Sequence, residues 1–393
     1  MNVSDRLYAS LPFSRPFRTW AEIDLAALRD NYRFLCKKIC STNRLIRPIA
    51  VVKADAYGHG ASACVRALSE EGCDFFAVSC LEEAIAIRQT CASYARPDIL
   101  ILGYTDPARA QELSDYDLIQ TLISESHAEA LARTNIRLRV HIALDTGMNR
   151  VGFPAQSQKE IAETVSAILR LKKHENLRIE GIFTHFARAD DGSDGTPATN
   201  AQAARFRAVQ SRLEQNGFVI PFCHVCNSAA SICRPTDAMD AVRLGITLYG
   251  ICPSDRVFAP LRPVMRLRTT VTHIHRVSAG AEVGYGGIWK AKEDRLIATL
   301  PIGYADGWLR AYSGAIVSVH TSDGVCPAPI VGRICMDQCM IDVTGSLARV
   351  GDTVTLFGQD PRELSLLAKR AHTIEYEPLC LISARVPRVY SDR

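Results

Sequence analysis

Short apolar runs alternate with amphipathic stretches between about residue 48 and residue 250. Eight of the apolar runs have the length and composition of buried β-strands, and they are PIAVVK (48–53), DFFAVS (74–79), DILILG (98–103), DLIQTL (117–122), LRVHIAL (138–144), IEGIFTH (179–185), FCHVC (222–226) and AVRLGI (241–246). Between most of them the apolar residues have helical spacing, over 61–71, 81–89, 107–113, 128–133, 158–171 and 201–215. Eight alternating β and α units predict parallel strands, right-handed crossovers and a closed (β/α)8 TIM barrel, an α/β fold.

The pattern differs on either side of this region. Residues 18–39 predict a strand and then a helix with Asp24 as its N-cap. After residue 260 the runs are β-rich and separated by Gly, Asp and Pro turns, which predicts a mostly antiparallel β domain. We therefore expect a barrel domain over residues 1–260, including the N-terminal strand and helix, and a β domain over residues 261–393. The acidic segment 189–200 lacks the glycine and glutamate of a calcium loop, so we interpret it as an exposed loop.

Composition excludes several classes of function. The formal charge is only +4 with no dense Lys/Arg block, which argues against nucleic-acid binding. No apolar run approaches the roughly 18–20 residues of a membrane span, and the N-terminus mixes charge and proline unlike a secretory signal. The 14 cysteines are scattered, and the Cys223/Cys226 pair lies in a strand-like run without a second pair at zinc spacing. We expect reduced thiols, no metal site and a cytoplasmic protein.

Lys53 closes the first predicted strand and enters the turn ADAYGHG. Catalytic residues of this fold lie at the C-terminal ends of the strands, so Lys53 is expected at the mouth of the barrel. A lysine there can form a Schiff base with an aldehyde cofactor if part of it is present as the free amine. Taken alone, however, a strand-end lysine is more often simply solvated, so the other strand ends have to be considered.

Further polar residues follow the sixth, seventh and eighth predicted strands. The last two of these loops commonly bind phosphate in this fold, and Ser228, Gly245 and Ile246 offer a hydroxyl and backbone N–H groups there. Arg243 lies in an apolar strand, where an unpaired charge is costly, so we expect it to have a partner such as a cofactor atom or His185. Together these residues predict a site for an anionic cofactor.

Nine motifs in one order resemble those of the alanine racemases, which bind pyridoxal 5'-phosphate (PLP), and they span nearly the whole chain. They are AVVKADAYGHG (50–60), DTGMNRVG (145–152), GIFTHFARAD (181–190), NSAAS (227–231), VRLGITLYG (242–250), GYGG (284–287), LPIGYADGW (300–308), GRICMDQCMID (332–342) and IEYEPLCLISARVPR (374–388). The resemblance implies a homodimeric PLP enzyme whose two sites are shared between subunits, with a small amino acid as substrate.

The resemblance also implies roles for individual residues. Lys53 carries the cofactor and is one catalytic base, and Tyr285 from the partner subunit is the other. The phosphate is held by Tyr57, Ser228, Gly245, Ile246 and Tyr376. Racemisation removes a Cα proton on one face and returns one on the other, which requires two bases on opposite sides of the cofactor. We assign the D-enantiomer's proton to Lys53 and the L-enantiomer's to Tyr285, whose phenol needs nearby positive charge or hydrogen bonding to act as a base.

Arginines complete the implied site. Arg150 contacts the phenolic oxygen of the cofactor and the substrate carboxylate, which also binds the backbone N–H of Met336 from the partner. Arg243 faces the pyridine nitrogen and is linked through His185 to Tyr285. A permanent cation at that position disfavours protonation of the nitrogen, so side reactions such as transamination should be suppressed.

Two positions depart from the family pattern. Many relatives have a carbamylated lysine, which orients the arginine, where this chain has Ala143. Another anion must then orient Arg150. Ala384 replaces an aromatic residue that is common in the family, without a clear consequence.

Several alternatives stay open at this point. Serine differs from alanine by one hydroxyl and is the second candidate substrate. A PLP-dependent decarboxylase shares the fold but is expected to place an acidic residue, not Arg243, at the pyridine nitrogen. A non-enzymatic PLP-binding barrel would lack the roughly 130 residues after 260. A purely structural or regulatory protein derived from an inactive enzyme would not need both catalytic bases.

Overall fold

Residues 18–40, 46–92, 96–257 and 259–392 are described by the computed structural model of the chain. The first strand, β1 (Thr19–Asp24), leads directly into helix α1 (Leu25–Cys40). Asp24 caps the helix as predicted, because its Oδ1 accepts the N–H of Ala27 at 2.8 Å. The chain divides into two compact units, Leu28–Arg262 and Met1–Ala27 with Pro263–Arg393.

The first unit contains the predicted barrel. Its eight parallel strands are β2 (Arg47–Val51), β3 (Phe75–Val78), β4 (Asp98–Ile101), β5 (Ile119–Leu122), β6 (Leu138–Asp145), β7 (Leu177–Thr184), β8 (Phe222–His224) and β9 (Ala241–Leu244). Each strand pairs with the next, and β9 pairs with β2, so the sheet closes on itself. The eight apolar runs therefore form the eight strands, and the predicted fold class is confirmed.

Helices follow the strands around this barrel. They are α2 (Ala61–Glu70), α3 (Leu81–Cys91), α4 (Ala110–Asp115), α5 (Glu125–Ala132), α6 (Gln158–Leu171), α7 (Thr196–Gln215) and α8 (Ser228–Cys233). The predicted bounds of α6 are confirmed. Ser157 and Glu160 form a capping box that fixes the start of this helix. Several predicted element ends are wrong by two or more residues, including the following two. Strand β2 ends at Val51 and not at Lys53, and α7 begins at Thr196, so the last five residues of the predicted loop 189–200 are helical.

A nine-stranded sheet dominates the second unit. After β1 its strands are β10 (Met265–Thr270), β11 (His273–Val277), β12 (Arg295–Leu300), β13 (Ile316–Thr321), β14 (Gly324–Val331), β15 (Cys339–Asp342), β16 (Thr353–Phe357) and β17 (Arg388–Ser391). Strand β1 lies between β10 and β17; it is parallel to β17, and the other pairs are antiparallel. Two helices, α9 (Pro361–Arg370) and α10 (Tyr376–Cys380), complete the unit. The predicted antiparallel character is confirmed.

Six of the cysteines are buried and take part in packing. All 14 are free thiols. Cys223 lies in β8 and Cys226 two residues beyond it, both are buried, and burial raises the pKa of each thiol to about 12. The strand interpretation of this CxxC pair is confirmed for Cys223 only, since β8 ends at His224 and Cys226 lies in the loop that follows. Among the described residues, no helix has the length and apolar character to cross a membrane, and no group of three or more His, Cys, Asp or Glu side chains is placed to hold a metal ion.

Candidate active site

Lys53 begins a short left-handed turn at the C-terminal end of β2. The four residues after it, Ala54 to Tyr57, all have φ between 51° and 55°. In L-residues this conformation costs about 1–2 kcal/mol per residue, and it persists only where the surrounding structure holds it. The N–H of Gly58 donates to the carbonyl of Ala54 at 2.9 Å, which closes the turn. The chain thus maintains a strained backbone between Lys53 and Tyr57, as functional sites often do.

Four of the predicted phosphate ligands lie together in the first unit. The backbone N–H of Gly245 donates to the Ser228 hydroxyl at 2.8 Å. A Cβ atom on Gly245 would lie only 2.7 Å from the Tyr57 hydroxyl, so a side chain at this point would displace that hydroxyl. Ile246 begins a 3-10 turn, and Ser228 begins helix α8, so both helical N-termini contribute to the same place. Thr247, which sequence reasoning missed, also donates to the Ser228 hydroxyl at 3.2 Å.

Arg243 is buried, with 3% of its surface exposed, and the expected His185 is the more distant of its two histidine partners. Its Nη1 donates to Nδ1 of His224 at 2.6 Å and to the His224 carbonyl at 3.0 Å. Its Nη2 donates to the carbonyls of Thr184 and Val225, whereas His185 Nδ1 lies at 3.4 Å. The main side-chain partner is therefore His224. Burial lowers the pKa of Arg243 to about 10, which still leaves it cationic at neutral pH.

The imidazole of His224 also contacts a second imidazole, that of His141. Because arginine only donates hydrogen bonds, His224 Nδ1 is the acceptor, and a neutral His224 carries its proton on Nε2. That nitrogen lies 3.1 Å from Nδ1 of His141. Burial lowers the pKa of both histidines, to about 3 for His141. Sequence reasoning missed both residues, although His141 and His224 each occupy an inward position of an otherwise apolar strand, which is an informative place for a polar side chain.

These buried histidines should make stability depend on pH. Below the ordinary histidine pKa of about 6.5 the unfolded chain binds protons that the folded chain excludes, so the free energy of unfolding falls as pH falls. Each histidine contributes about 1.4 kcal/mol per pH unit in this range. We expect the urea midpoint to drop between pH 7 and pH 5.5, and less steeply in His141→Gln. Replacing the exposed His174 with Gln is the control, and equal slopes in all three proteins would contradict the assignment.

The His185 imidazole has a pKa that is affected by nearby positive charges. Burial lowers its pKa well below the ordinary value, and the positive charges of Arg243, Arg150 and Lys53 lower it further. Three cations from three separate segments thus act on one imidazole. Lys53, Arg150 and His185 each follow the C-terminal end of a barrel strand, and Nη2 of Arg243 lies 3.4 Å from Nδ1 of His185.

Arg150 lies at the end of a turn organised by Asp145. The Asp145 Oδ1 accepts three consecutive backbone N–H groups, those of residues 147–149, each at 3.0 Å. Arg150 itself is exposed, and none of the described residues gives it a hydrogen bond or an ion pair. Ala143 is buried and supplies no charge. The orienting anion expected from the sequence stays a prediction.

The remaining predicted site residues belong to the second unit. Tyr285 starts a short turn, and 71% of its surface is exposed. Met336 is half exposed; its carbonyl accepts the N–H of Ala305 at 3.0 Å, while its own N–H has no acceptor among the described residues. Tyr376 is the first residue of α10.

Comparisons with known proteins cover nearly the whole chain. Residues 23–253 match the family model "Alanine racemase, N-terminal domain", and residues 264–390 match "Alanine racemase, C-terminal domain". The chain is 40% identical to alanine racemase 1 of Clostridium acetobutylicum over 383 residues, 94% of this chain and 95% of that protein. It is also 40% identical to an alanine racemase of Methanococcus maripaludis, over 94% and 98% of the two chains. The solved alanine racemase of Clostridium difficile 630 is similar in structure, with a TM-score of 0.87, 36% identity and 97% coverage of both chains.

Proposed function

Because this chain belongs to the alanine racemase family, it is a racemase that interconverts L- and D-alanine, and we propose that it does so with PLP attached to Lys53. The observation that supports Lys53 most strongly is its position at the start of the strained turn that ends at Tyr57, beside Ser228 and Gly245. When bound, PLP supplies the electron sink that stabilises negative charge at the substrate Cα.

The residues present fit the phosphate of this cofactor. Two helical N-termini, at Ser228 and Ile246, direct backbone N–H groups to one place, where anions are favoured. The hydroxyls of Ser228 and Tyr57 add donors, and Gly245 leaves the space a phosphate needs. We propose that these four residues, with Tyr376, hold the phosphate. Phosphate oxygens would then accept hydrogen bonds that Gly245 and Thr247 now make to Ser228.

Two residues carry the proton transfers in this proposal. Lys53 Nζ takes the proton from Cα of D-alanine, and the Tyr285 phenolic oxygen takes it from L-alanine; each returns a proton in the reverse direction. The high exposure of Tyr285 within its own chain supports a residue that serves the site of a neighbouring subunit. We therefore propose a homodimer in which Tyr285 and Met336 complete the partner's site.

Arginines orient and tune the reactants. We propose that Arg150 and the free backbone N–H of Met336 bind the substrate carboxylate, with Arg150 also contacting the cofactor's phenolic oxygen. Arg243 would face the pyridine nitrogen. Its three backbone carbonyl acceptors and His224 hold it as a cation, which disfavours protonation of that nitrogen and so limits transamination. An acidic residue at this position, expected in a decarboxylase, is absent from the described partners of Arg243.

A comparison of two substrates tests the assignment. An apolar pocket rejects one added hydroxyl only weakly, by roughly a hundredfold, so serine is the competitor to measure. We expect kcat/KM for alanine to exceed that for serine in both directions, with the purified PLP-loaded enzyme. A higher value for serine would overturn alanine as the substrate, and no racemisation of either would overturn the proposed function.

We also propose that the protein works in the cytoplasm. This proposal is supported by its 14 free cysteines, because an oxidising compartment favours disulfides.

A further inference from the structure

The strained turn after Lys53 needs contacts that hold it. The four left-handed residues, Ala54 to Tyr57, include no glycine, so each Cβ opposes the conformation. The apolar sequence of β2 gives no reason for the chain to turn this way. A contact to the first residue of the turn controls the direction in which the backbone leaves Lys53.

Glu83 makes that contact. This residue lies in the first turn of α3, and its Oε1 accepts the backbone N–H of Ala54 at 2.7 Å. Its Oε2 accepts the backbone N–H of Ser79, immediately after β3, at 2.8 Å. One carboxylate thereby connects the residue next to Lys53 to the end of the neighbouring barrel strand. The side chain of the adjacent Glu82 forms an ion pair with Arg109 instead.

The chemistry of these two contacts favours a carboxylate. Both partners are N–H donors, and an ionised carboxylate offers only acceptors, so both bonds are charge-assisted. A glutamine would satisfy one donor and place its own NH2 group against the other. The acceptor pair therefore fits this position in a way that an isosteric amide does not.

We propose that Glu83 is a positioning residue for Lys53: its carboxylate holds the left-handed turn and so directs the lysine amine toward the cofactor. This inference rests on the proposed function, because it assumes that Lys53 carries PLP. Glu83 contacts neither substrate nor cofactor in this proposal and acts only through the backbone of Ala54.

Removal of the carboxylate tests the proposal. In Glu83→Ala we expect the dissociation constant of PLP to rise about tenfold or more, as for the loss of a charge-assisted hydrogen bond, and kcat/KM to fall. PLP retention is measured by equilibrium dialysis and by borohydride trapping on Lys53 followed by mass spectrometry. Amide hydrogen exchange over residues 50–60 should become faster. Glu82→Ala, on the same helix with the same charge change, is the matched control, and equal PLP retention in the two variants overturns the proposal.

A rescue experiment separates positioning from a general effect on folding. Glycine adopts positive φ without the Cβ penalty, and Ala54 is exposed, so Ala54→Gly removes strain without removing buried packing. We expect Ala54→Gly to restore part of the PLP binding lost in Glu83→Ala. No recovery in the double variant would show that Glu83 acts by another route.

A third variant covers the case in which Glu83→Ala does not fold. Glu83→Gln keeps one acceptor and should lose PLP to an intermediate extent; binding equal to that of the unsubstituted protein overturns the proposal. Failure of the proposed function is distinguishable, because the unsubstituted protein would then fail to trap PLP on Lys53 or fail to racemise alanine, whereas failure of the Glu83 proposal leaves both intact in the unsubstituted protein.

Discussion

Lys53→Ala is expected to lose racemase activity by at least about a thousandfold, since the amine is both the attachment point of the cofactor and one catalytic base. The absorption band of lysine-bound PLP should disappear. Activity is measured by the conversion of each alanine enantiomer, and the band by absorption spectroscopy of the purified protein after incubation with PLP.

An exposed lysine provides the control for this variant. Lys37 lies on the solvent side of α1, and Lys37→Ala should retain both activity and absorption band. Retention of the band in Lys53→Ala would refute the assignment of Lys53. Loss of both signals in the two variants alike would point to a folding defect instead.

Mixed dimers should recover activity when Lys53→Ala is combined with Tyr285→Phe. Each variant alone lacks one base at both sites and is expected to be nearly inactive. In a heterodimer with shared sites, one site combines an intact Lys53 with an intact Tyr285 from the other subunit, whereas the second site lacks both. Random mixing of equal amounts then yields up to about a quarter of the unsubstituted activity.

A second mixture controls for nonspecific recovery. When Lys53→Ala is mixed with Lys53→Gln, no site in any dimer contains the Lys53 amine, so the mixture should stay inactive. Unequal tags on the two subunits allow the heterodimer to be purified before the assay. If the purified heterodimer of Lys53→Ala and Tyr285→Phe has no activity, the sites are not shared across a dimer.

The barrel could be predicted because its signal is periodic. Eight apolar runs at regular spacing leave few alternatives to a closed parallel sheet, and the strand ends then indicate which polar residues meet. This reasoning places Ser228, Gly245 and Arg243 at the same end of the barrel. The hydrogen bond from the Gly245 N–H to the Ser228 hydroxyl confirms that these two residues are close; the roles of all three residues toward a cofactor stay proposals.

Features without a local signal were missed. The sequence KADAY contains no glycine to indicate positive φ, so the end of β2 was extended to Lys53. The contact between His141 and His224 joins two strands 83 residues apart, and spacing along the chain says nothing about it. Helix α9 did carry a signal, because Asp360 and Glu363 form a capping box around Pro361, but the β-rich surroundings concealed it.

The place of β1 has a consequence for synthesis on the ribosome. Its hydrogen-bonding neighbours are Met265–Thr270 and Arg388–Ser391, more than 240 and 360 residues later. The nascent chain therefore carries an unpaired edge while the whole barrel is made, and a fragment that starts at residue 263 would lack an interior strand of its sheet. That sheet is complete only after Arg388–Ser391 have left the exit tunnel, so the second unit finishes folding after the barrel has been synthesised.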